Sequence, residues 1–133
     1  MAAYQEHGPS QVLIVEDDDT AREMLASALR LTGYQVRTAA DGLGGLRLLE
    51  AYCPDVVVLD LELPIASGFE VLDEIRGSAT TKHTPVIAIS GLDRAVTQAK
   101  ANPDFFATLP KPFEPEALVR AVTRALHQAY ASQ

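Results

Sequence analysis

Basic side chains are in short supply: eleven Lys and Arg stand against eighteen Asp and Glu, leaving a net charge of −7. A surface that neutralises nucleic-acid phosphates needs clustered Lys and Arg, so direct nucleic-acid binding is not expected. Cysteine is nearly absent as well. The lone Cys53 has no partner within the chain, which rules out an internal disulfide and makes the cytoplasm the default compartment. Just ahead of an apolar run, it reads as a small core hydrophobe. No apolar run approaches the length of a membrane span, and Met1 to Ser10 lack the basic and apolar regions of a secretory signal. That opening stretch reads as a loose leader. Glycine-rich phosphate loops are also missing: neither GxxxxGK[ST] nor GxGxxG occurs, so nothing here is built to cradle a nucleotide. Without repeats or low-complexity tracts, 133 residues make one domain, large enough to bury a core without staples. Its expected extent is 11–130, with 1–10 as leader and 131–133 as tail.

What is present is a run of apolar, mostly β-branched residues, Val56 to Leu59, that stops at the carboxylate Asp60. Such a run is the pattern of a strand buried on both faces of a parallel sheet. Gln11 to Val15 is a second such strand and ends in Glu16-Asp17-Asp18-Asp19; Asp18 or Asp19 can cap the helix that follows. That helix carries Met24, Leu25, Ala28 and Leu29 on one face and stops at Gly33, which suits a left-handed cap. Tyr34 to Ala39 is a more polar strand of the kind found at a sheet edge. A helix with Leu43, Leu46 and Leu49 follows and closes at Pro54. After Ser67-Gly68 comes a helix with Val71, Leu72 and Ile75 facing inward. Thr84 to Ser90 is a fourth strand, Leu92 to Lys100 a weakly patterned helix, and Phe106 to Leu109 a short fifth strand. Pro115 opens a last helix on which Leu118, Val122 and Leu126 repeat every fourth residue.

Five strands alternating with five helices imply a parallel sheet with right-handed crossovers and helices on both faces. The fold class is therefore α/β, a doubly wound, flavodoxin-like five-stranded sheet in the order 2-1-3-4-5. In that order the first and third strands are neighbours, so Glu16, Asp17 and Asp60 converge. Ser90 and Lys111 share the same rim. Asp60 is then a candidate nucleophile or metal ligand, with a helix-cap or turn role as the alternative. Three carboxylates this close raise each other's pKa unless a cation intervenes. Oxygen ligands without His or Cys point to Mg²⁺, with Mn²⁺ as the other choice. His7, His83 and His127 lie away from the strand ends and read as surface residues. A cation at Asp60, with Lys111 and the Ser90 hydroxyl beside it, forms a receptor for a phosphoryl group.

Four ordered blocks carry a resemblance over roughly Gln11 to Tyr130. They are Ile14-Val15-Glu16-Asp17; Val57 to Pro64 with Gly68-Phe69-Glu70-Val71-Leu72; Pro85 to Ser90; and Leu109-Pro110-Lys111-Pro112-Phe113. They resemble the signature blocks of the receiver domain of two-component response regulators. The resemblance implies that Asp60 is the phosphoacceptor and that Asp17 is a direct Mg²⁺ ligand. It implies that Glu16 is an acidic partner acting through water and that the Glu62 main-chain carbonyl is a further metal ligand. Ser90 and Lys111 are implied as the groups that engage the phosphoryl oxygens, with a cis bond between Lys111 and Pro112. It further implies a sensor histidine kinase or phosphotransfer protein as phosphodonor and a downstream protein target, for a cytoplasmic monomer or weak dimer. Such a domain is not an enzyme in its own right but assists its own Mg²⁺-dependent phosphorylation and dephosphorylation. Departures are Thr108 where the family has a switch aromatic, Gly91 after Ser90, Ser67 before the glycine, and the extra charge of Glu62. The first of these keeps a second function open, an interaction module that works without phosphorylation.

Overall fold

The chain runs strand then helix five times over, and the placement of each strand decides which carboxylates meet. The structure, a computed structural model, describes residues 8–131. The first seven residues of the expected leader, with His7, and the last two residues of the expected tail lie outside the described residues. Strands β1 (Gln11–Val15), β2 (Gln35–Ala39), β3 (Val56–Asp60), β4 (Val86–Ser90) and β5 (Ala107–Pro110) pair in parallel in the order β2-β1-β3-β4-β5. Helices α1 (Asp19–Leu31), α2 (Gly42–Tyr52), α3 (Gly68–Gly77), α4 (Asp93–Lys100) and α5 (Pro115–Ala131) alternate with them. This is the doubly wound order expected from the alternation.

Strands β3 and β4 are buried along their whole length, which is why they carry continuous apolar runs. Leu13, Val15, Val57, Leu59 and Ala88 join Leu49, Val71, Leu72 and Ile75 on one face of the sheet. Val12, Ile14, Val58 and Ile87 join Leu25, Leu29, Leu118, Val122 and Leu126 on the other. Alternate residues of one strand thus feed two cores, as the two-residue period requires. Burial of both faces fixes the register, and with it the height at which each strand ends.

Two local expectations are corrected, the face of α1 and the burial of Cys53. On α1 the core takes Leu25, Ala26 and Leu29 and leaves Met24 54% exposed. On α2 the buried positions are Gly42, Gly45 and Leu49, while Leu43 is exposed. A step of three residues falls about 60° short of a full turn, so leucines spaced by three wind off the face. A Cβ on Gly45 would stand 2.7 Å from a methyl of Val15, so the helix lies close to β1 because no side chain intervenes. Cys53 is exposed, not core: it caps α2 with a left-handed φ of 45°, and Pro54 is the next residue to be buried. Gly33 does end α1 with φ 104°, and Tyr34 N–H returns to the Leu29 carbonyl over 3.2 Å.

Candidate functional site

Parallel register places the tips of β1, β3, β4 and β5 side by side, and each delivers at least one polar group to a common rim, β1 delivering two. Carboxylate oxygens of Glu16, Asp17 and Asp60 lie within 4.8 Å of one another. Glu16 and Asp60 are buried, at 0% and 2% exposure, whereas Asp17 faces out. The convergence expected from topology is therefore present. Lys111, on the residue after β5, donates to Glu16 Oε1 at 2.8 Å and to Asp60 Oδ2 at 3.2 Å. Its bond to Pro112 is cis. Asp60 Oδ1 accepts from the Glu62 N–H at 2.9 Å, so the turn role and the rim role coexist in one side chain.

Glu16 is tied at every atom that can be tied. Its Oε2 accepts from the Asp18 N–H at 3.1 Å, its main-chain N–H pairs with the Ala39 carbonyl, and its own carbonyl accepts from Arg22 at 2.9 Å. Arg22 also bonds Asp19, one turn back on α1. Burial, then the hydrogen bond with Asp60, raises the Glu16 carboxyl from 4.5 to about 7, against the pull of Lys111 and the Asp18 amide. Burial works to lower the Lys111 amine, but its bonds and attractions to Glu16 and Asp60 prevail and its pKa is raised. The three clustered carboxylates thus face one ammonium, and the Asp17 side chain has no hydrogen bond or ion pair among the described residues. An uncompensated, oxygen-only cluster of this kind fits a hard divalent cation.

Ser90 is at the rim, fully buried, at the end of β4. Its hydroxyl is not directed at Asp60 but donates to Glu62 Oε2 at 2.6 Å, while the Gly91 N–H donates to Glu62 Oε1 at 3.0 Å. Sequence reasoning gave Glu62 a main-chain ligand role and an extra negative charge beside the acceptor; nothing in the sequence signals its side-chain contact with Ser90 across 28 residues. Gly68 was likewise read only as turn and helix start. A Cβ there would lie 2.6 Å from the Asp60 carbonyl oxygen and 2.7 Å from Leu61 Cα, so only glycine lets α3 seat against the end of β3. Thr108 is half-buried on β5 beside Ala88. Neither neighbouring ring replaces an aromatic there: Phe105 packs edge-on against Phe69, 5.8 Å between centroids, and Phe106 packs on the opposite face of the sheet. His83 and His127 are exposed and away from the cluster, as expected. A largely apolar cleft of 410 Å³ opens beside Lys111, between Met24 and Leu25 of α1 and Pro112-Phe113.

A doubly wound sheet with acidic groups at its central strand tips and a lysine beyond the last strand defines a class of phosphoaccepting signalling domain. Residues 12–123 match the response regulator receiver domain, and the chain belongs to that family. It is 38% identical over 120 residues to the response regulator MprA of Mycobacterium sp. (strain KMS), covering 89% of this chain and 50% of that protein. It is 35% identical over 121 residues to the sensor histidine kinase AtsR of Burkholderia thailandensis, covering 89% of this chain and 20% of that one. The chemotaxis response regulator CheY4 of Vibrio cholerae has the same fold, with a TM-score of 0.81 and 31% identity over 90% of this chain and all of its own. The chain spans half or less of the length of these two curated relatives. Among the described residues no helix is long and apolar enough to cross a membrane.

Proposed function

We propose that Asp60 is the phosphoacceptor of this receiver domain, that its phosphodonor is a phosphohistidine on a sensor kinase or phosphotransfer protein, and that phosphorylation changes the binding of a downstream protein. One observation carries the reading: the Asp60 carboxylate is buried at a strand tip, among two further carboxylates and 3.2 Å from the Lys111 ammonium. An Asp60 oxygen attacks the phosphorus, the phosphorus–nitrogen bond breaks, and the imidazole leaves with its electron pair. Lys111 neutralises developing charge on the phosphoryl oxygens, and the Glu62 N–H keeps the other Asp60 oxygen in place. Glu16 orients Lys111 from below. Glu16, Asp17, Asp60 and the Glu62 carbonyl would hold a divalent cation, Mg²⁺ by preference, which supplies further charge neutralisation at the phosphoryl group. The domain extends over 11–130 on this reading and acts in the cytoplasm.

An interaction module independent of phosphorylation is the second reading, favoured by Thr108 at the position of the switch aromatic and by the engagement of the Ser90 hydroxyl with Glu62. Acetyl phosphate or beryllofluoride with Mg²⁺, applied to the wild type and to Asp60→Asn, separates the two. The first reading requires a Mg²⁺-dependent adduct in the wild type alone, and its absence leaves the second.

A further inference from the structure

Ser90 and Gly91 present two donors at the tip of β4, next to the tip of β3 that carries Asp60. Both donors are already taken by one carboxylate. The Ser90 hydroxyl has a single proton, which goes to Glu62 Oε2 at 2.6 Å; its oxygen is also held, accepting from the Leu92 N–H at 3.0 Å. The Gly91 N–H goes to Glu62 Oε1 at 3.0 Å. Glu62 also binds Asp60 through its own main-chain N–H. One residue therefore grips the acceptor with its backbone and the anion-receiving donors with its side chain.

We propose that Glu62 is a tethered competitor: its carboxylate occupies the Ser90 and Gly91 donors in the resting protein and must be displaced when Asp60 carries a phosphoryl group. The inference rests on the reading of Asp60 as phosphoacceptor. A hydroxyl proton and an amide proton can each serve one strong acceptor at a time, so a phosphoryl oxygen gains them only as Glu62 loses them. Both acceptors are anionic, so the exchange replaces one pair of charge-assisted bonds by another and adds none. Here the moving part is the Glu62 side chain with the Gly91–Leu92 segment, where Thr108 provides no ring to move. Glu62 is thus a positioning residue, acting through Ser90 and Gly91.

Beryllofluoride binding at saturating Mg²⁺ tests this by fluorescence or fluorine NMR titration, with Glu62→Ala and Glu62→Gln made in the wild type and in Ser90→Ala. Removing the competitor is expected to tighten binding about tenfold, some 1.4 kcal/mol. In the Ser90→Ala background the gain should shrink several-fold, because one of the two contested donors is gone. The Gly91 amide resonance should shift in Glu62→Ala before any ligand is added. On beryllofluoride binding it should move less in the wild type, where one anionic acceptor replaces another, than in Glu62→Ala. An equal gain in both backgrounds would reduce Glu62 to a through-space charge, and an unmoved Gly91 amide would remove the resting bond; either overturns the competitor. No Mg²⁺-dependent adduct in any variant overturns the phosphoacceptor reading and this proposal with it.

Discussion

At the scale of single residues, the rim loop after β3 contains a conflict that has no structural compensation. Ile65 is β-branched, has φ of 73°, and is fully exposed, so it carries the steric cost of a left-handed backbone and returns no burial. That cost is about 1–2 kcal/mol, while glycine adds about 0.5–1 kcal/mol of unfolded-state freedom. Ile65→Gly should therefore raise stability by roughly 0.5–1 kcal/mol, read as a higher urea midpoint; a lower one would mean that the side chain packs in solution. Gly68 makes the opposite case. A methyl group there meets backbone atoms of Asp60 and Leu61, which cannot yield as a side chain does. Gly68→Ala should cost about 1–3 kcal/mol and weaken beryllofluoride binding, because the end of β3 must shift to make room. Unchanged affinity in a destabilised variant would separate the packing from the site. The need for glycine at position 68 was visible only as a turn signal, since the close approach belongs to the tertiary fold.

At the scale of elements, most of the architecture was legible because burial on two faces leaves an unmistakable mark. Val56 to Leu59 and Val86 to Ile89 have no polar residue to break them, and the order of strands then brings Glu16, Asp17 and Asp60 together without further information. Helix faces were less legible. On α1 an apolar arc from Met24 to Leu29 is wider than the face the core accepts, and packing against β1, β2 and α5 selects Leu25, Ala26 and Leu29 from it. Helix ends follow local chemistry more faithfully. Ser67 opens α3 with a capping box: its hydroxyl accepts from the Glu70 N–H and the Glu70 carboxylate accepts from the Ser67 N–H. Ser67→Ala should lower stability by about 1 kcal/mol, whereas Ser67→Asp, an equally good cap, should stay within about 0.5 kcal/mol of wild type. Equal losses in both variants would assign the effect to something other than the cap. By contrast α4, eight residues long, starts at Leu92 with no side-chain cap and is anchored by Ala95, Val96 and Ala99. Its sequence already looks weakly patterned, and the structure gives the reason: the core takes two alanines and a valine there, none of them a large side chain.

At the scale of the whole molecule, the rim joins residues that are 95 and 51 positions apart through one ammonium, so charge at the site is part of the energetics of folding. Glu16 lies at the centre. Asp60 from β3, Asp17 on its own segment, Lys111 after β5 and the Arg22 guanidinium on its carbonyl are the charged groups around it. Its carboxyl is raised from 4.5 to about 7, mainly by burial and then by its bond with Asp60. A group whose pKa is higher in the folded than in the unfolded chain favours folding in its protonated form. Its contribution is intact below 4.5 and disappears as pH rises through about 7. A divalent cation held by the cluster would take the place of that proton and, by binding the folded state alone, would add stability through mass action. Metal-free protein should therefore lose stability between about pH 5 and about pH 7.5 by more than Glu16→Gln does, and saturating Mg²⁺ should remove most of the difference. Urea denaturation of both proteins at the two pH values, in EDTA and in Mg²⁺, provides the comparison. Parallel losses in the metal-free wild type and variant would show that Glu16 is ionised throughout and that Lys111 alone balances the cluster.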